Sequence, residues 1–487
     1  MKVIISYPPL QGKGFPMLRQ ARQFQWVSIP SHIYPIISAS ALTLLKKDGF
    51  DAVFNDCLLE KWPEQKFFDF IDLQQPDVIA FETKTPVIKS HWRIIDRIKE
   101  RNQKVKAVLM GDHVSVFPEE SLNNCKVDYV ITGGDYDLGL LGLAKHLREG
   151  SPFPKGIWCR QEAGLFNSGS AETNADLNKL PFINRELTPW KLYGEKWKRR
   201  YPFAYTMAGR DCPYGRCSFC SWANIYPNFR VREPDNFLEE IDILVNKYGA
   251  REIFDDTGTF PQGAWLEKFC NGMVKKKFNK KIIFSCNSRF DYLTEDNARL
   301  MKMAGFRKLK LGLESASQET LDRINKGITI EQVKNGCRLA AKVGLNVHLT
   351  VMFGYPWEKK SDVLRTINFV RGLLNKGHIE MLQSTLLVPY PGTALFNDGL
   401  ANGWFRFDHR EYERYGMQEA VFKTMDISSE ELKVLCRKTY GLFFSPPYIL
   451  KKIINKDFIG NLNYFIKGAV AMAGHSIDFS GGRGKNI

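Results

Sequence analysis

The sequence predicts an α/β protein with a doubly wound, Rossmann-like sheet over residues 1–150, a linker over 151–197, a partial (β/α)6 barrel over 198–400 and a helical region over 401–487. Three observations carry this reading. Short β-branched runs alternate with helically spaced apolar stretches through the first 150 residues; Pro, Gly, Ser and Asn then concentrate between Ser151 and Asn178; and the alternation resumes with six strand candidates between Tyr201 and Leu400. Strands that alternate with helices form parallel sheets, because a crossover must return the chain to the start of the next strand. A length of 487 residues suits about three domains. With 44% hydrophobic and 25% charged residues, the composition excludes collagen-like, disulfide-stapled and wholly disordered classes.

Val3–Ser6 is the first strand, and its apolar run before Pro8 and Pro9 is too short for an export signal. Ile36–Lys47 has helical spacing, and the strands Asp51–Asn55, Pro76–Phe81, Ala107–Met110 and Val127–Ile131 follow. Ligands of such sheets bind beyond the carboxyl ends of the strands, which makes Gly111, Asp112, His113, Gly133 and Gly134 candidates. No G-x-G-x-x-G follows the first strand, so a dinucleotide site has no support. The barrel strands are expected at Phe203–Met207, Glu252–Asp255, Lys281–Cys286, Lys308–Leu313, Asn346–Phe353 and Met381–Leu387, with polar residues at their carboxyl ends, where barrel chemistry gathers. In the helical region, Pro446–Lys456 pairs an apolar face with Lys451, Lys452 and Lys456. That pattern fits either a helix packed on the barrel or one lying in a membrane interface. No apolar run reaches the ~18 residues of a membrane span. The expectation is a cytoplasmic protein, and in the second case this helix would give it a peripheral membrane contact. The net charge of +16 permits an anionic partner without identifying one.

Three of the ten cysteines fall within nine residues, Cys212-Pro213-Tyr214-Gly215-Arg216-Cys217-Ser218-Phe219-Cys220, and the other seven are scattered singly. Without an export signal, clustered cysteine points to metal or catalysis before disulfide. Tetrahedral zinc needs a fourth ligand, and no further Cys or His follows until Cys270. Three thiolates on one loop suit a 4Fe–4S cluster better, each holding one iron and leaving the fourth open to a small molecule. The loop follows the first barrel strand and so lies on the catalytic face.

At this loop the chain resembles the radical S-adenosylmethionine enzymes, in the branch that carries a cobalamin-binding domain ahead of the barrel. The usual C-x3-C-x2-C spacing has one extra residue here, and glycine at 215 makes a one-residue bulge cheap. The resemblance implies cluster ligation and catalysis through Cys212, Cys217 and Cys220, with Phe219 beside the adenine of S-adenosylmethionine. It extends to Phe254-Asp255-Asp256, to Leu311-Gly312-Leu313-Glu314-Ser315, to Gly354-Tyr355-Pro356 and to Pro389-Tyr390-Pro391-Gly392-Thr393. Glu314 and Ser315, beside Gly312, are expected to bind ribose and the methionine amino group, and Asp255 to lie at the site. A helix cap before Pro261 is the alternative for the Asp255–Thr259 stretch. Arg289, at the end of the third barrel strand, offers a forked bond to the methionine carboxylate. Tyr7-Pro8-Pro9-Leu10, Gly111-Asp112-His113 and Gly133-Gly134-Asp135-Tyr136-Asp137 are similar to the cobalamin-binding domain. The Asp-x-His-x-x-Gly that gives histidine to cobalt elsewhere is absent.

The implied activity is reductive cleavage of S-adenosylmethionine to a 5′-deoxyadenosyl radical, with cobalamin assisting methylation, cyclisation or rearrangement at an unactivated carbon. The implied partners are a small-molecule or lipid substrate and an external one-electron reductant. Two rival readings are an RNA-modifying methylthiotransferase and a non-enzymatic iron–sulfur carrier or sensor. The first predicts a terminal RNA-binding β-barrel where the sequence reads as helical, which argues against a nucleic-acid partner. The second predicts a fourth cysteine ligand, and none is placed.

Overall fold

A computed structural model describes residues 1–12, 14–20, 22–454 and 462–479. Two sheets organise the chain, the first mixed and the second all parallel. The first has the order β4-β1-β5-β6-β7-β8-β9, made by β1 (Lys2–Tyr7), β4 (Asp51–Asp56), β5 (Val78–Thr83), β6 (Lys106–Gly111) and β7 (Tyr129–Ile131), with β8 (Ile157–Gln161) and β9 (Gly164–Asn167) at one edge. Its central strands β1 and β5 are buried almost throughout, as expected of parallel strands covered by helices on both faces. The helix Ile36–Lys47 forms over the predicted residues, with Lys46 and Lys47 in its last turn beside the negative end of the helix dipole.

The second sheet has the order β10-β13-β14-β15-β16-β17, all parallel: β10 (Phe203–Thr206), β13 (Glu252–Asp255), β14 (Ile283–Ser288), β15 (Phe306–Glu314), β16 (Asn346–Phe353) and β17 (Met381–Leu386). It curves into the expected half-barrel. Its outer layer packs aromatic on aromatic, with Phe284 and Phe306 rings 4.8 Å apart and Phe260 touching both. Two small ribbons complete the strands: β2 (Phe15–Met17) with β3 (Phe24–Val27), and β11 (Gly209–Arg210) with β12 (Arg230–Val231).

The region read as a linker differs from expectation. Residues 157–167 form the antiparallel hairpin β8–β9, which extends the first sheet beyond β7. The ribbon β2–β3 was also not expected. The C-terminal region carries the helices Ser429–Gly441, Pro446–Ile454 and Leu462–Asp478. Lys456 and the side chains of Lys451 and Lys452, which formed the expected lysine face, lie outside the described residues. Among the described residues no helix is long and apolar enough to cross a membrane.

The two sheets meet through buried ion pairs. Arg210 donates to Asp135 at 2.8 Å and to Asp137 at 2.6 Å, and Arg230 donates to Asp135 at 2.6 Å. Tyr226 donates from its hydroxyl to the Gly134 carbonyl at 2.9 Å. The loop that carries the cysteines is thereby fixed against the strand ends of the first sheet.

Candidate active site

The cysteine loop leaves β10 through the short strand β11, which ends at Arg210, two residues before Cys212. All three thiols are partly exposed, whereas the seven scattered cysteines are buried. The loop is held at both flanks: Ser218 N donates to the Ile324 carbonyl at 3.0 Å, and the Tyr214 hydroxyl donates to the Asn325 carbonyl at 2.8 Å. Burial pushes the Cys217 thiol up while Lys326 and Arg289 pull it down, and burial with the neighbouring Cys217 pushes Cys220 up to about 12. Cys212 lies 3.2 Å from the Thr259 hydroxyl and acts electrostatically on both other thiols.

This donor set fits an iron–sulfur cluster. The three thiols lie on one loop and are partly exposed, and bound iron deprotonates a coordinating thiol outright, which offsets the burial that disfavours free thiolates. Among the described residues no three His, Cys, Asp or Glu side chains are gathered for a single metal ion. A cluster spreads its ligands more widely, because each thiolate takes a different iron.

Beside the loop, the ends of β14 and β15 bring predicted residues together. Glu314 pairs with Lys326 at 2.7 Å, with Lys326 in turn 5.7 Å above the Phe219 ring. At Gly312 a Cβ would lie 2.1 Å from Glu314 Oε1 and 2.6 Å from Lys326 Nζ, so a side chain there would displace the ends of both. Arg289 lies 3.8 Å over the Tyr214 ring, donating to Asp291 at 2.9 Å and to the Lys326 carbonyl at 2.9 Å. Thus Cys217, Phe219, Arg289, Gly312 and Glu314 share one corner. Tyr214 and Lys326, which tie that corner together, were not anticipated. A lysine in a loop carries no sequence signal of a site until the fold brings it to Glu314.

Ser315 and Asp255 are turned away from that corner. Ser315 donates to Glu358 at 2.5 Å in a buried layer that includes Thr366. Asp255 accepts from Ala208 N at 2.7 Å and Thr257 N at 3.1 Å, and burial raises its carboxyl to about 7. It braces the end of β10, while its neighbour Asp256 pairs with Arg22.

The strand ends of the first sheet border an open cleft of about 1170 Å³, lined by Ser115, Thr132, Gly133, Ala171, Asn224 and Arg410 among others. That exceeds the ~300–1,000 Å³ of most small-molecule pockets, so a large planar cofactor fits. Gly133 is on its wall. Gly134 lies instead under the barrel, where a Cβ would come within 2.1 Å of the Tyr226 ring. Gly111 is needed for close strand packing, since a Cβ there would lie 2.5 Å from the Thr83 carbonyl oxygen. Asp112 is buried, accepting from Lys84 at 2.6 Å and Gln23 at 3.1 Å. His113 has both ring nitrogens engaged, Nδ1 with Thr85 at 3.3 Å and Nε2 with Glu120 at 3.1 Å, under the Tyr412 ring. The cleft therefore receives no free imidazole from His113.

A half-barrel with three thiols near its first strand end thus meets a doubly wound sheet across a large cleft. Residues 207–370 match the model of the radical SAM superfamily. It is 26% identical over 90% of its length to an uncharacterized methyltransferase of Pyrococcus horikoshii, covering 92% of that protein. It is 24% identical over 87% of its length to the anaerobic magnesium-protoporphyrin IX monomethyl ester cyclase of Rubrivivax gelatinosus, covering 77% of it. In fold it is similar to the methyltransferase TsrM from Kitasatospora setae, solved with cobalamin and a 4Fe–4S cluster bound: TM-score 0.66 at 16% identity, covering 91% of this chain and 89% of that one.

Proposed function

We propose that this protein is a cobalamin-assisted radical enzyme that methylates or cyclises an unactivated carbon of a small molecule. The observation that carries the proposal is the convergence of the three thiols with Phe219, Lys326 and Glu314 at the strand ends of the half-barrel. When bound, the cluster and S-adenosylmethionine supply a 5′-deoxyadenosyl radical through one electron from an external reductant, and cobalamin supplies a carrier for a methyl group. Cys212, Cys217 and Cys220 hold the cluster. Glu314 accepts from the ribose and the methionine ammonium, Arg289 donates to the methionine carboxylate, and Phe219 packs on the adenine. The cleft walls at Ser115, Thr132 and Gly133 would line the corrin when it is bound. The role of the chain is orientation and exclusion of water, since the bond-breaking chemistry belongs to the cofactors.

A lipid substrate is favoured by a second feature. An apolar groove of about 300 Å³, lined by Trp197, Phe443, Tyr448, Tyr464, Phe465 and Met472, lies beside the barrel. Such grooves admit long apolar molecules.

Anaerobic reconstitution with iron, sulfide and hydroxocobalamin, followed by S-adenosylmethionine and dithionite, tests the proposal. The expected products are 5′-deoxyadenosine, with S-adenosylhomocysteine beside it where a methyl group is transferred. Neither product from cluster-loaded protein contradicts it.

A further inference from the structure

Inside the half-barrel lies a second, smaller space. Its walls include Lys310, His348 and Gln383 from β15, β16 and β17, with Ser31, Glu195 and Trp197. The helix Leu462–Asp478 closes one side. Its volume of about 50 Å³ has room for roughly three or four water molecules or one small polar group.

The charges around this chamber are matched, with one exception. Lys308 pairs with Glu195 and Arg22 with Asp256. Asp478 accepts from Ser28 N at 2.7 Å and Ser28 Oγ at 2.5 Å, and lies 3.3 Å from His475 Nδ1. The Lys310 ammonium is drawn by Glu195 and Asp256 and repelled by Arg22 and Lys308, all without a hydrogen bond. Three buried atoms on the same walls have no partner: Ser31 Oγ, Trp197 Nε1 and His348 Nδ1. Buried polar atoms are nearly always hydrogen-bonded, and several orphans around one cavity mark a place where a polar guest belongs.

We propose that the chamber binds an anionic group of the substrate, a carboxylate or a phosphate, through the Lys310 ammonium and the Trp197 indole N–H. Both groups are donors only, and an oxyanion offers only acceptors. Burial holds Lys310 down to about 8 and pushes His348 below its ordinary value, so an anion at the ammonium would reverse the first effect and meet no second cation at the imidazole. The inference rests on the barrel being the catalytic site. Lys310 and Gly312 share one face of β15 and the register shifts between Gly312 and Glu314, so Lys310 lies at most about 13 Å along the strand from Glu314. The reacting carbon then lies between the anchored anion and the S-adenosylmethionine site.

Cyanate is small enough to enter the chamber and carbamylates uncharged amines. The full-length protein is labelled with it at about pH 8, where Lys310 is partly deprotonated, and modification is read peptide by peptide by mass spectrometry. Hexanoate or hexyl phosphate should slow carbamylation of Lys310 about tenfold, hexanol at the same concentration should not, and exposed Lys275 should react at one rate throughout. The more protective anion distinguishes carboxylate from phosphate. In calorimetry, Lys310→Arg should keep binding of that anion and Lys310→Met should weaken it about tenfold. No protection by either anion, or equal protection by hexanol, would overturn the proposal. The labelling needs neither cluster nor reductant, so its failure is distinct from a failure to cleave S-adenosylmethionine.

Discussion

Glu358 illustrates how single residues support the site from behind. Its carboxyl accepts from Ser315 Oγ at 2.5 Å and Thr320 Oγ1 at 2.9 Å, beneath the turn that carries Glu314. Burial raises it from 4.5 to about 7, against the pull of those two hydroxyls. A carboxyl raised in this way stabilises the fold while it is protonated. That contribution is complete below the ordinary pKa and is lost as pH rises through the folded value. Wild-type stability should therefore fall by about 3 kcal/mol between pH ~4.5 and pH ~7.5 through this one group. Glu358→Gln should remove that part of the slope and make the protein more resistant at neutral pH, as denaturant midpoints at the two pH values would show. The same midpoint difference in wild type and variant would contradict the assignment.

At the scale of elements, the segment Gly133–Asp137 joins the two sheets. Its acids lock onto Arg210, two residues before Cys212, so the seating of the first domain also sets the position of the cysteine loop. Arg210 is buried, and removing one partner of a buried pair leaves the other uncompensated, at a cost of about 3–5 kcal/mol. Arg210→Ala should lower stability by that amount in guanidinium unfolding. A loss below about 1 kcal/mol, typical of exposed pairs, would mean that the domains are held elsewhere.

Much of this element level was legible in the sequence, for physical reasons. The strand Asn346–Phe353 and the helix Ile36–Lys47 are long apolar or periodic runs with clear stops, and they form over the expected residues. The ribbon β2–β3 was not legible, because strands of three and four residues, one containing Pro16, leave almost no periodic signal. The hairpin β8–β9 was hidden by the Pro- and Gly-rich composition around it, although Ile157 and Cys159 alternate inward as a half-buried strand requires. In the site, the cysteines and the Gly-x-Glu-Ser turn were visible as local patterns. Lys326, Tyr214 and Trp197 act through contacts that only the tertiary fold creates. Lys308 and Lys310 were the available clue, two lysines facing inward from a strand otherwise rich in Leu.

In the whole molecule a mixed sheet and a parallel half-barrel meet near their carboxyl edges, with a large cleft beside the junction and a small polar chamber within the second. Everything in the catalytic reading depends on iron held by the three thiols that face this junction. The most direct measurement is iron per chain after anaerobic reconstitution, compared between wild type, the triple variant Cys212→Ala/Cys217→Ala/Cys220→Ala, and the buried-thiol controls Cys270→Ala and Cys286→Ala. The account predicts about four iron atoms per chain and ~400 nm absorption in the wild type and both controls, and loss of both in the triple variant. A triple variant that retained about four iron atoms per chain would contradict it.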